Sequence, residues 1–151
     1  MEFNIQNIME MKDLGNKIGR SLKGGEVICL VGDLGAGKTH LTKFIGEGMG
    51  IDEYITSPTF AILNIYEGKI HLNHFDMYRL EEDVEFEDLG FDDYLFSDDV
   101  NIIEWPERIK KYLPKSLINI EIKTLGEEKR QVNITTNYDE KYKYILESLK
   151  W

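Results

Sequence analysis

Apolar residues recur along this chain with two different periods. Ile8, Met11, Leu14, Ile18 and Leu22 fall at three- and four-residue steps, the spacing that places side chains on one face of a helix. Asn7 stands where a helix wants its N-cap, and Gly24-Gly25 where the helix would stop. Residues 3–6 ahead of it predict a short edge strand. Residues 26–31 form an apolar run bounded by glycines, which predicts a buried strand. A glycine-rich turn follows, and then Leu41, Phe44 and Ile45 mark one face of a second helix ending near residues 48–50. Residues 60–66 and 69–75 predict two strands joined by a two-residue turn at Glu67-Gly68. Residues 82–96 predict one or two short helices, and residues 100–104 another strand. Pro106 opens a brief helix, since proline suits a first helical position. Ile118, Ile120 and Ile122 alternate with polar residues, as do Val132 and Ile134 beyond a turn at Gly126. That alternation predicts an antiparallel hairpin with one wet face. Tyr142, Ile145, Leu146 and Leu149 predict a C-terminal helix. The expected architecture is α/β: a single domain over residues 1–151, with a mixed sheet flanked by helices and antiparallel hairpins.

Composition narrows the class. The chain has 151 residues, 42% hydrophobic and 30% charged, a profile of globular proteins that bury a real core. No stretch approaches the roughly 18 apolar residues of a membrane span. The N-terminal residues lack a basic segment followed by an apolar run, so no signal peptide is expected. Cys29 is the one cysteine, set among apolar neighbours, which excludes a disulfide framework and fits a reducing cytoplasm. The formal net charge of -10 argues against extensive direct contact with nucleic acid, whose phosphates are neutralised by Lys and Arg. An acidic run, from Glu81 to Asp93 and again at Asp98-Asp99, reads most simply as a solvated face. Its sharper reading is a docking surface for a basic partner.

The turn between the buried strand and the second helix carries the chemistry. Gly32-Asp33-Leu34-Gly35-Ala36-Gly37-Lys38-Thr39 matches the P-loop pattern. Phosphate oxygens need many donors converging on one point, and backbone N–H groups supply them only where the chain curls tightly. Gly32, Gly35 and Gly37 permit the curl and Ala36 adds little bulk. The helix that follows turns its positive end toward the anion. Lys38 can reach the β- and γ-phosphates, and Thr39 can place its hydroxyl on Mg2+. His40 comes next, on the helix face beside the phosphates. A P-loop also needs a carboxylate near Mg2+, and two acids end predicted strands: Asp76 and Glu104. Position does not decide which of them touches the metal. Trp105-Pro106 follows Glu104, where the indole serves as core or as a lid. Ser57-Pro58-Thr59-Phe60 places a threonine where a switch segment would contact the γ-phosphate or the metal.

The nucleotide is expected to be ATP, because no Asn-Lys-x-Asp guanine-reading motif follows the P-loop. Arginine is scarce, at Arg20, Arg79, Arg108 and Arg130, so the basic lid of a small-molecule kinase is not visible. Three readings stand: an ATPase subunit of a larger assembly, a free-standing kinase, and a nucleotide-gated adaptor that hardly hydrolyses.

Four blocks occur in a fixed order: the P-loop at 32–39, Ser-Pro-Thr-Phe at 57–60, His-Phe-Asp-Met-Tyr-Arg-Leu at 74–80 and Ile-Glu-Trp-Pro-Glu-Arg at 103–108. Together they resemble the bacterial tRNA threonylcarbamoyladenosine biosynthesis ATPase family, TsaE, over about residues 7–113. The resemblance implies a cytoplasmic, Mg2+-dependent ATPase required for N6-threonylcarbamoylation of adenosine 37 in tRNA. It implies work in a complex with the TsaD and TsaB proteins, where TsaD does the transfer chemistry and tRNA is met only through the complex. ATP hydrolysis then drives or resets that complex. Carried over by position, Lys38 binds phosphate, Thr39 and Glu104 bind Mg2+, and Asp76 is the acid for hydrolysis, near metal or water. Thr59 is a switch-type residue and Trp105 lies near the nucleotide. His40 departs from the family, which usually has a second threonine there.

Overall fold

The computed structural model describes residues 1–58, 62–78, 80, 90–137 and 140–150. Among these, seven strands form one mixed sheet: β1 (Glu2–Ile5), β2 (Val27–Val31), β3 (Leu63–Tyr66), β4 (Leu72–Asp76), β5 (Val100–Glu104), β6 (Ile118–Thr124) and β7 (Arg130–Thr136). Their order is β1-β7-β6-β2-β5-β4-β3. The centre is parallel, with β2 between β5 and β6, and β4 beside β5. Both flanks are antiparallel hairpins, β6–β7 on one side and β3–β4 on the other, with β1 added to β7. The carboxyl ends of β2, β4 and β5 therefore share one rim, where ligands of open α/β sheets bind.

Alternation along the central strands divides the core in two. Ile28, Leu30, Ile102, Ile118 and Ile120 face α1 (Ile8–Ser21), α2 (Lys38–Gly48) and α4 (Lys143–Ser148). Val27, Cys29, Phe75 and Ile103 face the opposite way, onto Leu95 of the short α3 (Asp92–Leu95) and Ile109 of the 3-10 segment Pro106–Tyr112. The expected cap of α1 is present: the Asn7 side chain accepts from Glu10 N at 3.0 Å. The buried stripe of α1, Met11, Leu14 and Ile18, follows the three-four spacing, and each such side chain contributes about 1.5–3 kcal/mol by leaving water.

The turn expected at Glu67-Gly68 is longer. Tyr66 pairs with Leu72, so residues 67–71 form the connection. Ile70 packs against the main core instead of extending the ladder, and Glu67 N donates to Glu53 Oε1. Tertiary burial of one isoleucine thus overrides a two-residue hairpin. Of the helices expected over residues 82–96, α3 is observed; residues 81–89, which hold most of the acidic run, lie outside the described residues, as does Arg79.

Two contacts were not legible in the pattern. Glu26 is fully buried, accepting from the backbone N–H groups of Lys23 and Gly24 at 2.7 Å each and from the Tyr144 hydroxyl. That carboxylate fastens α4 to the turn after α1. The second is the crossing of α1 on α2, which has no room for side chains. A Cβ on Gly19 would lie 2.1 Å from Ile45 O, and one on Gly48 would lie 2.3 Å from Asn16 O. Both obstacles are backbone atoms, which cannot swing aside. Gly19→Ala should therefore destabilise the fold by about 1–3 kcal/mol, lowering Tm by several degrees. Gly126→Ala, whose Cβ would meet nothing nearer than 3.8 Å, should leave Tm unchanged within error. Thermal unfolding of the two variants checks this; equal shifts would remove the close crossing as the cause.

Two acids with raised pKa, the buried Cys29 and the half-buried Tyr144, bear on the alkaline behaviour. Burial, helped by the negative charge of Glu107, pushes the Cys29 thiol up to about 12. Burial and the hydrogen bond to Glu26 push the Tyr144 hydroxyl upward as well. Both groups hold their protons more tightly folded than unfolded, so the stability they contribute is intact below the unfolded values of about 8.5 and 10 and is lost as pH rises above them. Lys38 is shifted downward and opposes part of this. Urea midpoints should be level to about pH 8 and fall beyond it, less steeply in Cys29→Ala. A midpoint unchanged to pH 11 would contradict it.

Candidate functional site

Gly32 ends the approach from β2 at a point where a Cβ would lie 2.8 Å from Ile122 O, so glycine is required for the chain to pass β6. Gly35 and Gly37 have φ of 81° and 105°, the left-handed region that favours glycine. The Asp33 carbonyl accepts from Ala36 N at 3.0 Å and closes the turn. Leu34 at its tip is 72% exposed. Gly37 caps α2, leaving the helix's first N–H groups directed at the rim.

A cavity of about 690 Å3 opens on this loop. Gly35, Gly37, Lys38, Thr39 and His40 line it together with Asp76, Glu104 and Trp105, and Ser57 and Pro58 also border it. The sheet explains the convergence of the two acids. Asp76 and Glu104 are register partners at the ends of parallel neighbours, and Met77 N donates to Glu104 O at 3.0 Å just beyond them. The Thr39 hydroxyl donates to Glu104 Oε2 at 3.4 Å. Asp76 accepts from Tyr78 N at 3.0 Å through Oδ1, and Ser57 Oγ lies 3.5 Å from its Oδ2.

Lys38 is 5% exposed, and its ammonium donates to Gly32 O at 2.7 Å. It also lies 3.6 Å from the centre of the Trp105 ring, a cation–π contact. Desolvation lowers its pKa, against the charges of Glu104, Asp76, Glu107 and Asp33, which work to raise it. Trp105 has φ 59° and ψ 52°, an unfavourable backbone for a bulky residue before proline. The strain turns the indole over the phosphate loop, where it also meets Tyr78 at 5.0 Å between ring centres. Trp105 is therefore a half-buried lid. His40 stacks on Phe44 at the cavity's edge, ring centres 6.4 Å apart. Thr59 lies outside the described residues.

Two residues of the site escaped the sequence reading. His74, fully buried, places Nε2 2.6 Å from Glu104 Oε2. Arg130, at the start of β7, donates from Nε to Ala36 O at 2.9 Å and from its guanidinium to the carbonyls of Gly126, Glu127 and Lys129. It ties the hairpin tip to the phosphate loop across 94 residues of sequence. Period-two alternation puts His74 on the same face as Asp76, the one signal available, but the register with β5 is invisible in sequence.

Among the described residues no three His, Cys, Asp or Glu could hold a metal by themselves. One hydroxyl and two carboxylates on one rim are instead hard oxygen donors that fit a cation able to take its remaining ligands from phosphates and water, the habit of Mg2+. The loop's open glycines, with nothing within 4 Å of a Cβ on Gly35 or Gly37, leave space for a polyphosphate.

The family model "Threonylcarbamoyl adenosine biosynthesis protein TsaE" matches residues 5–132. A tRNA threonylcarbamoyladenosine biosynthesis protein TsaE from Bacillus subtilis is 37% identical over 150 residues, 99% of this chain and 93% of its own length. The protein of the same name from Treponema pallidum is 39% identical, over 80% of this chain and 89% of its own. That from a Nostoc species is 44% identical, over 82% and 78%. The crystal structure of Bacillus subtilis YdiB superposes with a TM-score of 0.81 at 33% identity, covering 99% of this chain and 93% of that one.

Proposed function

This chain belongs to the threonylcarbamoyl adenosine biosynthesis protein TsaE family, and from that premise we propose that it binds and hydrolyses ATP with Mg2+ as the ATPase subunit of the machinery that makes N6-threonylcarbamoyladenosine at position 37 of tRNA. Its partners are TsaD and TsaB, it meets tRNA through them, and hydrolysis drives or resets their complex. The observation that carries this is the convergence of Lys38, Thr39, Asp76 and Glu104 on one cavity beneath a glycine-rich loop.

The residues divide the work. Backbone N–H groups of residues 35–39 and the Lys38 ammonium bind phosphate oxygens. Thr39 and Glu104 would hold Mg2+, which would supply charge neutralisation to the phosphates. Asp76, at the adjacent strand end, orients the water or a metal-bound ligand at the γ-phosphate. Trp105 covers the loop and limits water. The described residues include no helix long and apolar enough to cross a membrane, and a cytoplasmic tRNA-modification factor agrees with that.

Phosphoryl-transfer sites of this type often turn over slowly until a partner completes them. Hydrolysis by the chain alone should be weak, and should rise when purified TsaD and TsaB are added with Mg2+; ATP should be preferred to GTP. Equal turnover with and without the pair would sink the proposal and leave the nucleotide-gated adaptor. The free-standing kinase loses its footing, since the family is named for a biosynthetic role in tRNA.

A further inference from the structure

We propose that His74 is a positioning residue for Glu104, fixing which carboxylate oxygen faces the nucleotide cavity and keeping that carboxylate apart from Lys38. The inference rests on the reading of Glu104 as a Mg2+ ligand.

Three observations carry it. First, the 2.6 Å contact joins His74 Nε2 to Glu104 Oε2, in a place where His74 is fully buried and Glu104 is 4% exposed. A carboxylate only accepts, so the ring proton sits on Nε2. Nδ1 is buried with no hydrogen-bond partner among the described residues. A buried polar atom without a partner has a cost. It is tolerated here in a strand position, beside Ile102 of β5, where an aliphatic residue would leave no polar atom to satisfy. Second, both side-chain hydrogen bonds of Glu104 among the described residues, from His74 and from Thr39, fall on Oε2. Oε1 is the oxygen left to the cavity. Third, Lys38 and Glu104 line the same cavity, yet no ion pair joins them among the described residues; the ammonium goes to Gly32 O and the Trp105 ring. An ammonium and an unrestrained carboxylate in a half-dry site attract strongly. If they paired, the phosphate ligand and the metal ligand would block each other. The imidazole, anchored in the sheet, holds the carboxylate's torsion against that collapse.

The test is the Mg2+ dependence of nucleotide binding, read with a fluorescent ATP analogue, in wild type, His74→Leu, His74→Gln and His74→Asn. Gln sets its amide nitrogen where Nε2 stands, whereas the shorter Asn cannot reach Oε2. His74→Leu and His74→Asn should raise the Mg2+ concentration for half-maximal binding by tenfold or more. In EDTA their nucleotide affinity should fall by less than the Mg2+ requirement rises, because only the competition of the freed Glu104 carboxylate for Lys38 is then felt. His74→Gln should return the Mg2+ requirement to within about threefold. Should His74→Leu fail to fold, the Asn–Gln pair decides alone. Equal loss with and without Mg2+, or Gln behaving as Asn, would overturn the positioning role and leave His74 a structural residue. A wild-type protein whose nucleotide affinity ignores Mg2+ would overturn the metal reading of Glu104, and the inference with it.

Discussion

Lys38→Ala is expected to weaken nucleotide binding by roughly 150-fold, about 3 kcal/mol, to abolish hydrolysis, and to leave the fold standing. The size follows from where the ammonium lies. It is nearly excluded from water, facing the loop whose backbone donors converge on the same space. A charge-assisted hydrogen bond there meets little competing solvent. Hydrolysis should suffer more than binding, because charge on the γ-phosphate oxygens changes as the bond breaks. The ligand-free protein should not pay correspondingly. Burial already lowers the Lys38 pKa, so the charged form is disfavoured by desolvation before any ligand arrives. Loss of the ammonium removes that penalty along with the bond to Gly32 O. Nucleotide titration and thermal unfolding of one preparation separate the effects. A large fall in Tm with binding loss to match would mean that Lys38 is structural first.

Asp76→Ala is expected to lower turnover by about 100- to 1,000-fold while changing nucleotide affinity by less than about fivefold. Asp76 stands at the end of β4 opposite Glu104, half-buried, with Oδ1 engaged by Tyr78 N. Thr39, Lys38 and the loop line the same cavity and would hold the phosphates without it. Its charge matters most when the γ-phosphate departs and water must be aligned. Asp76→Asn separates charge from shape, since the amide oxygen still accepts from Tyr78 N. Asn should be nearly as slow as Ala. If Asn were fully active, the turn at residues 76–78 would be what matters; if Ala lost all affinity yet kept its turnover at saturation, the two acids would exchange roles.

Much of this protein was written in its one-dimensional pattern. The three-four spacing of α1, its Asn7 cap, the alternation in β6 and β7 and the P-loop between β2 and α2 are local, since each depends on residues a few positions apart. Local rules also put Asp76 and Glu104 at strand ends, where each run of apolar strand residues stops. What they left open was everything that depends on register and crossing. Asp76 faces Glu104 only because β4 pairs with β5, two segments with α3 between them. The grip of His74 on Glu104 comes from the same register, 30 residues apart, and the brace of Arg130 on Ala36 spans 94. Trp105 lies over Lys38 because a strained backbone turns it there. The five-residue connection at 67–71 exists because the core takes Ile70, and Gly19 is needed because Ile45 of another helix passes through the space of its missing side chain. Periodicity and turn chemistry are properties of neighbours in sequence, so the chain alone determined its elements, its sheet class and its glycine-rich loop between β2 and α2. Which side chains meet across the sheet is settled by strand pairing and packing, long-range terms that no short window contains.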